Sequence, residues 1–235
     1  MCGRYSLVAP AEAVRALFKF EGATPNLAPR YNIAPTQAAP VIIQRKNSER
    51  ELVVMRWGLV PAWSKGPDNR YSMFNARAET VHEKQAYRVA FQQRRCLVPV
   101  DGFYEWRGSS GTKMPYRISL IDESLFAFAG LWEHWEGSDG SFIESFTIIT
   151  TRANSLISRI HDRMPVIMPL EVHAEWLGSC SAAELLIPYS SEKMKAYPVD
   201  AYVNDARHDD PMCISPAGES VPDEIINSNL HGIDS

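Results

Sequence analysis

Cys96-Leu97-Val98-Pro99-Val100-Asp101-Gly102-Phe103-Tyr104-Glu105-Trp106-Arg107 reads as two short strands, Cys96 to Val100 and Phe103 to Arg107, about Asp101-Gly102. Working outward, Val41 to Gln44 and Leu52 to Trp57 read as a hairpin across the polar turn 46–50. Tyr116 to Ile121 and Leu125 to Leu131 read as another β pair, Phe142 to Thr151 as a long β run, and Val166 to Met168 as a short strand. Between them lie short helical stretches. Ala11 to Phe20 sets Val14, Leu17 and Phe18 on one face, and Thr80 to Arg95 carries a mixed-charge face. Asn154 is placed to cap a helix running to Ile160, and Leu170 to Leu177 and Ala182 to Leu186 are short helices. Gly22 to Ala39, rich in Pro and Asn, reads as a loop, and Ala62 to Asn75 as a second irregular stretch. Many short strands with interspersed helices indicate an α+β domain on a curled antiparallel sheet.

The chain has 235 residues, 45% of them hydrophobic, enough for one substantial core. No apolar run reaches membrane-spanning length, and no signal peptide is read at the N-terminus. Cys2, Cys96, Cys180 and Cys213 are scattered without a C-x-x-C pair, which argues against a zinc site and a disulfide scaffold and for a reducing cytosol. The net charge is −4. After Arg207 there is no Lys or Arg but six acids, so 216–235 reads as part of an acidic, solvated tail. The remaining body is near neutral, and any nucleic-acid surface on it must be a local patch.

The first residues, Met1-Cys2-Gly3-Arg4, add a distinct chemistry. Removal of Met1 is expected, since Cys2 is small. Cys2 would then carry a free amine and a thiol on adjacent carbons. That pair condenses with an aldehyde, the amine giving a Schiff base and the sulfur closing a thiazolidine ring. A free α-amine titrates at about 7.7–8.0 and a free thiol at about 8.5, so neither is inert near neutrality. The competing reading is a frayed terminus with no role.

Four further segments set polar residues among apolar ones: Asn75-Ala76-Arg77-Ala78-Glu79, Gly102-Phe103-Tyr104-Glu105-Trp106, Thr150-Thr151-Arg152-Ala153-Asn154, and His161-Asp162-Arg163-Met164-Pro165. Glu105 lies between aromatics. Buried, its pKa would rise toward the range of a proton shuttle; exposed, it is an ordinary strand glutamate. His161 is the residue type whose charge changes near neutral pH, although a lone histidine is more often structural. Asn75 offers a neutral donor and acceptor, or simply a turn.

Taken together these segments resemble the SOS response-associated peptidase (SRAP) family. The likeness also rests on Tyr31-Asn32-Ile33-Ala34-Pro35-Thr36, Trp57-Gly58-Leu59-Val60-Pro61-Ala62-Trp63, Arg95-Cys96-Leu97-Val98-Pro99 and the closing stretch Val199 to Asn204. It implies one domain over 1–215, with a barrel-like antiparallel sheet and flanking short helices. It implies recognition of abasic sites in single-stranded DNA and capture of the ring-opened sugar by Cys2 as a thiazolidine crosslink, which shields the lesion. Autocatalytic removal of residues ahead of the cysteine is also credited to the family. Carried over by residue, Cys2 is the nucleophile, Asn75 holds the terminus and sugar, Glu105 moves protons and His161 helps open the sugar. Arg77 and Arg163 meet phosphates, Arg4 assists, and Trp106 or the Trp57 and Trp63 region stacks on bases, with core packing the alternative for each tryptophan. No cofactor, metal or membrane is implied. The chain is expected to act as a cytoplasmic monomer, nucleoid-associated when bound to DNA.

Two other functions fit the same residues. An N-terminal-nucleophile cysteine peptidase would use Cys2, His161 and Asn75 on other proteins. A non-catalytic single-strand binder would use only the arginines and tryptophans.

Overall fold

The computed structural model describes residues 2–218 except 24, 46–48, 68–72, 109–112 and 179–181. The expectations for Cys180 and for most of the acidic tail fall outside the described residues. In chain order the strands are β1 (Arg4–Leu7), β2 (Arg30–Ile33), β3 (Ala38–Gln44), β4 (Arg50–Trp57), β5 (Asn75–Arg77), β6 (Arg95–Val100), β7 (Gly102–Arg107), β8 (Met114–Leu120), β9 (Phe126–Glu136), β10 (Phe142–Arg152), β11 (Arg163–Pro165), β12 (Ile167–Met168) and β13 (Met194–Pro198). The α-helices are α1 (Ala11–Phe18), α2 (Arg88–Gln93) and α3 (His173–Gly178), and short 3-10 turns make up the remaining helical structure.

The strands form two sheets. The smaller has the order β13-β8-β7-β1-β2. In the larger, β10, β4, β3, β6 and β9 follow one another, and β9 pairs back onto β10. That circuit closes on itself, the barrel-like curl expected. Closure leaves fewer unpaired strand edges. The pairing is mainly antiparallel, and β10 runs parallel to β4 and to β5.

Asp101 is the pivot between the sheets. The continuous apolar run before it is buried in β6, which pairs with β9, whereas β7 crosses into the smaller sheet between β1 and β8. Its carboxylate accepts from the Ser6 hydroxyl at 2.6 Å and from the Val8 amide, and pairs with Arg117. These bonds tie the pivot to β1. Aromatic edges fill the space beneath: Tyr5 meets Trp57 at 5.1 Å and Phe128 at 6.2 Å between ring centroids, and Phe103 meets Phe128 at 5.6 Å.

Several local expectations change. The stretch Gly22 to Ala39 contains β2, recruited by pairing with β1 despite its polar composition. The β8 and β9 segments do not pair with each other; β8 joins β7 and β13, while β9 joins β6, β10 and β12. Of Thr80 to Arg95, only Arg88–Gln93 is α-helical. Asn154 Oδ1 does accept from the Ile157 amide at 2.9 Å, but the helix it caps is one 3-10 turn, Ile157–Arg159.

Candidate active site

The smaller sheet delivers two of the site residues. Register pairs Arg4 with Tyr104, so Glu105 on β7 lies beside the residues that precede β1. The larger sheet delivers the other two. Asn75 opens β5, held in parallel register opposite Ile148 of β10, and His161 sits between the 3-10 turn and β11.

Cys2 is fully buried and is not in a disulfide. The side-chain amide of Asn75 donates to the Cys2 carbonyl at 2.7 Å, so one sheet grips the backbone that the other presents. The Tyr87 hydroxyl in turn donates to the Asn75 carbonyl at 3.4 Å. Burial, and then the neighbouring Glu105 carboxylate, push the Cys2 thiol well above its ordinary range. The sulfur is therefore held protonated at rest.

Glu105 is 3% exposed. Burial raises its pKa, and nearby positive charge, His161 included, opposes that rise. The conditional reading of this glutamate is thus met on the buried side. His161 Nδ1 accepts from the Arg163 amide at 3.0 Å and also lies 2.9 Å from an Asp162 carboxylate oxygen. One nitrogen cannot serve both contacts in one protonation state. The backbone amide can only donate, whereas Asp162 is 86% exposed and free to swing into water, so the amide governs. Nε2 then carries a proton both in the neutral ring, whose Nδ1 accepts from the amide, and in the charged ring that acts on Glu105.

The nucleic-acid candidates separate into two groups. Arg77 is exposed at the end of β5. Arg163 makes a two-pronged pair with Glu79, at 3.0 and 2.9 Å, and also donates to the Thr150 carbonyl at 2.6 Å. Arg4 turns inward. It donates to Asn32 Oδ1 at 2.9 Å and to the carbonyls of Val203 and Asn204, with its guanidinium 6.0 Å over the Trp106 ring. Trp106 donates from its indole nitrogen to Asn204 at 2.7 Å. In this structure Arg4 and Trp106 hold the closing segment against β1 and β7. Trp57 is fully buried in the core, donating to the Phe74 carbonyl at 2.8 Å, while Trp63 is 61% exposed.

The sequence matches the family described as SOS response associated peptidase (SRAP) over residues 1–206. It is 41% identical over 222 residues to the abasic site processing protein YoqW of Bacillus subtilis, covering 91% of this chain and 99% of that one. It is 35% identical over 233 residues to the abasic site processing protein HMCES of Gallus gallus, covering 84% of this chain and 69% of that one. A crystal structure of a protein from Bacteroides thetaiotaomicron superposes with a TM-score of 0.82 at 31% identity, covering 92% of this chain and all of that one. The chain belongs to the SRAP family.

Three residues of this SRAP chain escaped the sequence reading. Tyr87 steadies Asn75 from a stretch that looked merely helical. Asn32, buried in a quoted motif, faces the carbonyls of Val203, Asp205 and His208 and so anchors the closing segment that Arg4 also grips. Thr150 backs the Arg163 guanidinium through both its carbonyl and its hydroxyl. Each lies in a different segment from its partner, and only the folded sheet brings the two together.

Proposed function

We propose that this protein senses abasic sites in single-stranded DNA and captures them covalently through Cys2 once Met1 is removed, shielding the lesion. The observation that carries the reading is the convergence of Cys2, Asn75 and Glu105, with His161 acting on Glu105, from four separate segments. The names of the relatives YoqW and HMCES agree with it.

The chemistry follows from the protonation states. His161, with Nε2–H as donor, assists opening of the closed sugar to its aldehyde. The α-amine of Cys2 attacks the carbonyl carbon; Glu105, whose raised pKa lets it carry a proton, delivers it to the departing oxygen, and water leaves as the Schiff base forms. The thiol then adds across the carbon–nitrogen double bond. The sulfur–carbon bond forms while the thiol proton passes to Glu105, replacing the one it gave to the departing oxygen, and the nitrogen keeps its own remaining proton, so no net proton is gained or lost. A thiol that stays protonated until this step suits the order amine first, sulfur second. Asn75 fixes the backbone of Cys2, and its Oδ1 offers an acceptor to the amine. Arg77 and Arg163 would meet the flanking phosphates. Removal of residues ahead of Cys2 by the protein itself would use the same group.

A cysteine peptidase acting on other proteins is the weaker reading. Such enzymes lower the thiol pKa with a neighbouring cation, whereas here burial and a carboxylate raise it. The deciding experiment mixes protein lacking Met1 with single-stranded DNA holding one abasic site and runs a denaturing gel. A retarded band that survives heat is expected. Absence of that band, with a peptide substrate turned over instead, would reverse the assignment.

A further inference from the structure

The face beside the site carries an arginine that none of the roles above uses. Register places Arg77 opposite Thr150 and Arg152 opposite Arg163. Residues paired across a ladder share a sheet face, and positions two apart on one strand share it too. Arg77, Arg152 and Arg163 therefore stand on the same face around Thr150. Arg77 and Arg152 are exposed. The Arg163 side chain is 13% exposed and is held from behind by Thr150, through Oγ1 at 3.3 Å and the carbonyl at 2.6 Å.

One carboxylate interrupts this cationic face. Glu79 presents both oxygens to both terminal nitrogens of Arg163, and its side chain is 40% exposed. A forked, planar contact of that kind is also how a guanidinium takes two oxygens of a phosphodiester. Thr150 keeps the guanidinium aimed whether or not Glu79 is there.

We propose that Glu79 occupies, in the free protein, the position of a DNA phosphate on a three-arginine site, Arg77, Arg152 and Arg163, and that a bound strand displaces it from Arg163. The carboxylate acts as a guard. It fills the fork when no strand is present and repels phosphates that approach without enough other contacts. Arg152 is the third phosphate ligand of the site. This inference rests on the single-strand binding part of the proposed function and deepens it.

The test uses the full chain, Glu79→Gln and Arg152→Ala, and an undamaged oligothymidine about 15 nucleotides long. Equilibrium binding is read by fluorescence anisotropy over a salt series. The undamaged strand has no aldehyde, so crosslinking does not enter the measurement. Glu79→Gln should bind about two- to fivefold tighter, the range of an exposed charge pair. Arg152→Ala should bind more weakly, and its slope of log K against log salt should be shallower by about 0.7. Thermal melting establishes that each variant is folded, and Glu79→Ser supplies a second removal of the carboxylate. Wild-type or weaker binding by both folded Glu79 variants would overturn the guard, leaving Glu79 as a splint for Arg163. An unchanged slope in Arg152→Ala would overturn the three-arginine site. Failure of the wild type itself to bind the strand would remove the DNA reading along with the guard, an outcome distinct from both.

Discussion

The side-chain amide of Asn75 donates to the backbone carbonyl of Cys2 across the gap between two sheets, at 2.7 Å. Cys2 is thus gripped through its main chain, while its thiol makes only a long contact, donating to the Arg4 carbonyl at 3.8 Å. Asn75→Asp replaces the donor with a carboxylate that repels the same carbonyl. The crosslinking rate should fall by about 10- to 100-fold, because small misplacements of reacting groups are costly. Noncovalent binding of undamaged DNA, measured in parallel, should stay near wild type; an equal loss in both would assign Asn75 to folding or DNA contact instead.

Glu105 should trade stability for rate. Its folded pKa is raised, mainly by burial, above an ordinary value near 4.5. Stability is then complete below that value and declines as pH rises through the folded pKa, where the chain must hold a buried carboxylate. Glu105→Gln removes the penalty. Its melting temperature should exceed that of the wild type at pH 8, by about 2–4 °C per kcal/mol relieved, and match it more closely at pH 4. Single-turnover crosslinking should slow by about 10²–10⁴-fold. A variant both less stable at pH 8 and as fast as wild type would remove Glu105 from the proton path.

The sequence was most readable where one segment carries its own meaning. The two short strands about Asp101-Gly102, the β3–β4 hairpin and α1 all follow from local pattern. Glu105 between aromatics was readable as a conditional, and burial decided it. What could not be read was partnership between distant segments. β2 looks like a Pro- and Asn-rich loop because what stabilises it lies elsewhere in the chain: its pairing with β1, and Asp209, which accepts from the amides of Tyr31 and Asn32. Arg4 resembles a solvent-facing cation, yet its acceptors are some 200 positions away at Val203 and Asn204. The pairings of β8 and β9 depend on the bend at Asp101, which sends neighbouring strands to different sheets.

A second titration lies far from the chemistry. His173 is 1% exposed, stacked on Phe18 with ring centroids 5.4 Å apart, and its Nε2 donates to the Met168 carbonyl at 3.1 Å. Burial lowers its pKa below the ordinary 6.5. Between the lowered folded value and 6.5 the unfolded chain binds the extra proton, so stability present above pH 6.5 is lost as pH falls. Urea midpoints taken from pH 7.5 down to pH 5 should drop in the wild type. His173→Gln should cost stability at pH 7.5 but flatten that slope; an unchanged slope would place the acid sensitivity in other groups.

Removing only the sulfur should separate the two bonds of the crosslink. Cys2→Ser keeps the amine, so a Schiff base can form but cannot close to a thiazolidine. Its adduct with abasic single-stranded DNA should be trapped by borohydride and otherwise lost on heating. A heat-stable adduct at wild-type level without reductant would mean that the sulfur forms no bond to the sugar.

The α-amine is the group that distinguishes this mechanism from an ordinary cysteine enzyme. A thiol nucleophile needs only its sulfur, whereas a thiazolidine needs the amine of the same cysteine, and an amide nitrogen is not nucleophilic. An uncleavable extension ahead of Cys2 should abolish the stable crosslink, but Cys2 is fully buried and gripped by Asn75, so such an extension also crowds the site. Acetylation of the α-amine alone is the smaller change. Intact mass should first verify loss of Met1 and addition of a single acetyl group. The acetylated protein should bind abasic and undamaged strands alike without covalent product, while the unmodified protein gives the heat-stable band. A stable adduct from the acetylated chain, formed without reductant, would exclude the aminothiol and require a chemistry of the thiol alone, which the raised pKa of Cys2 disfavours.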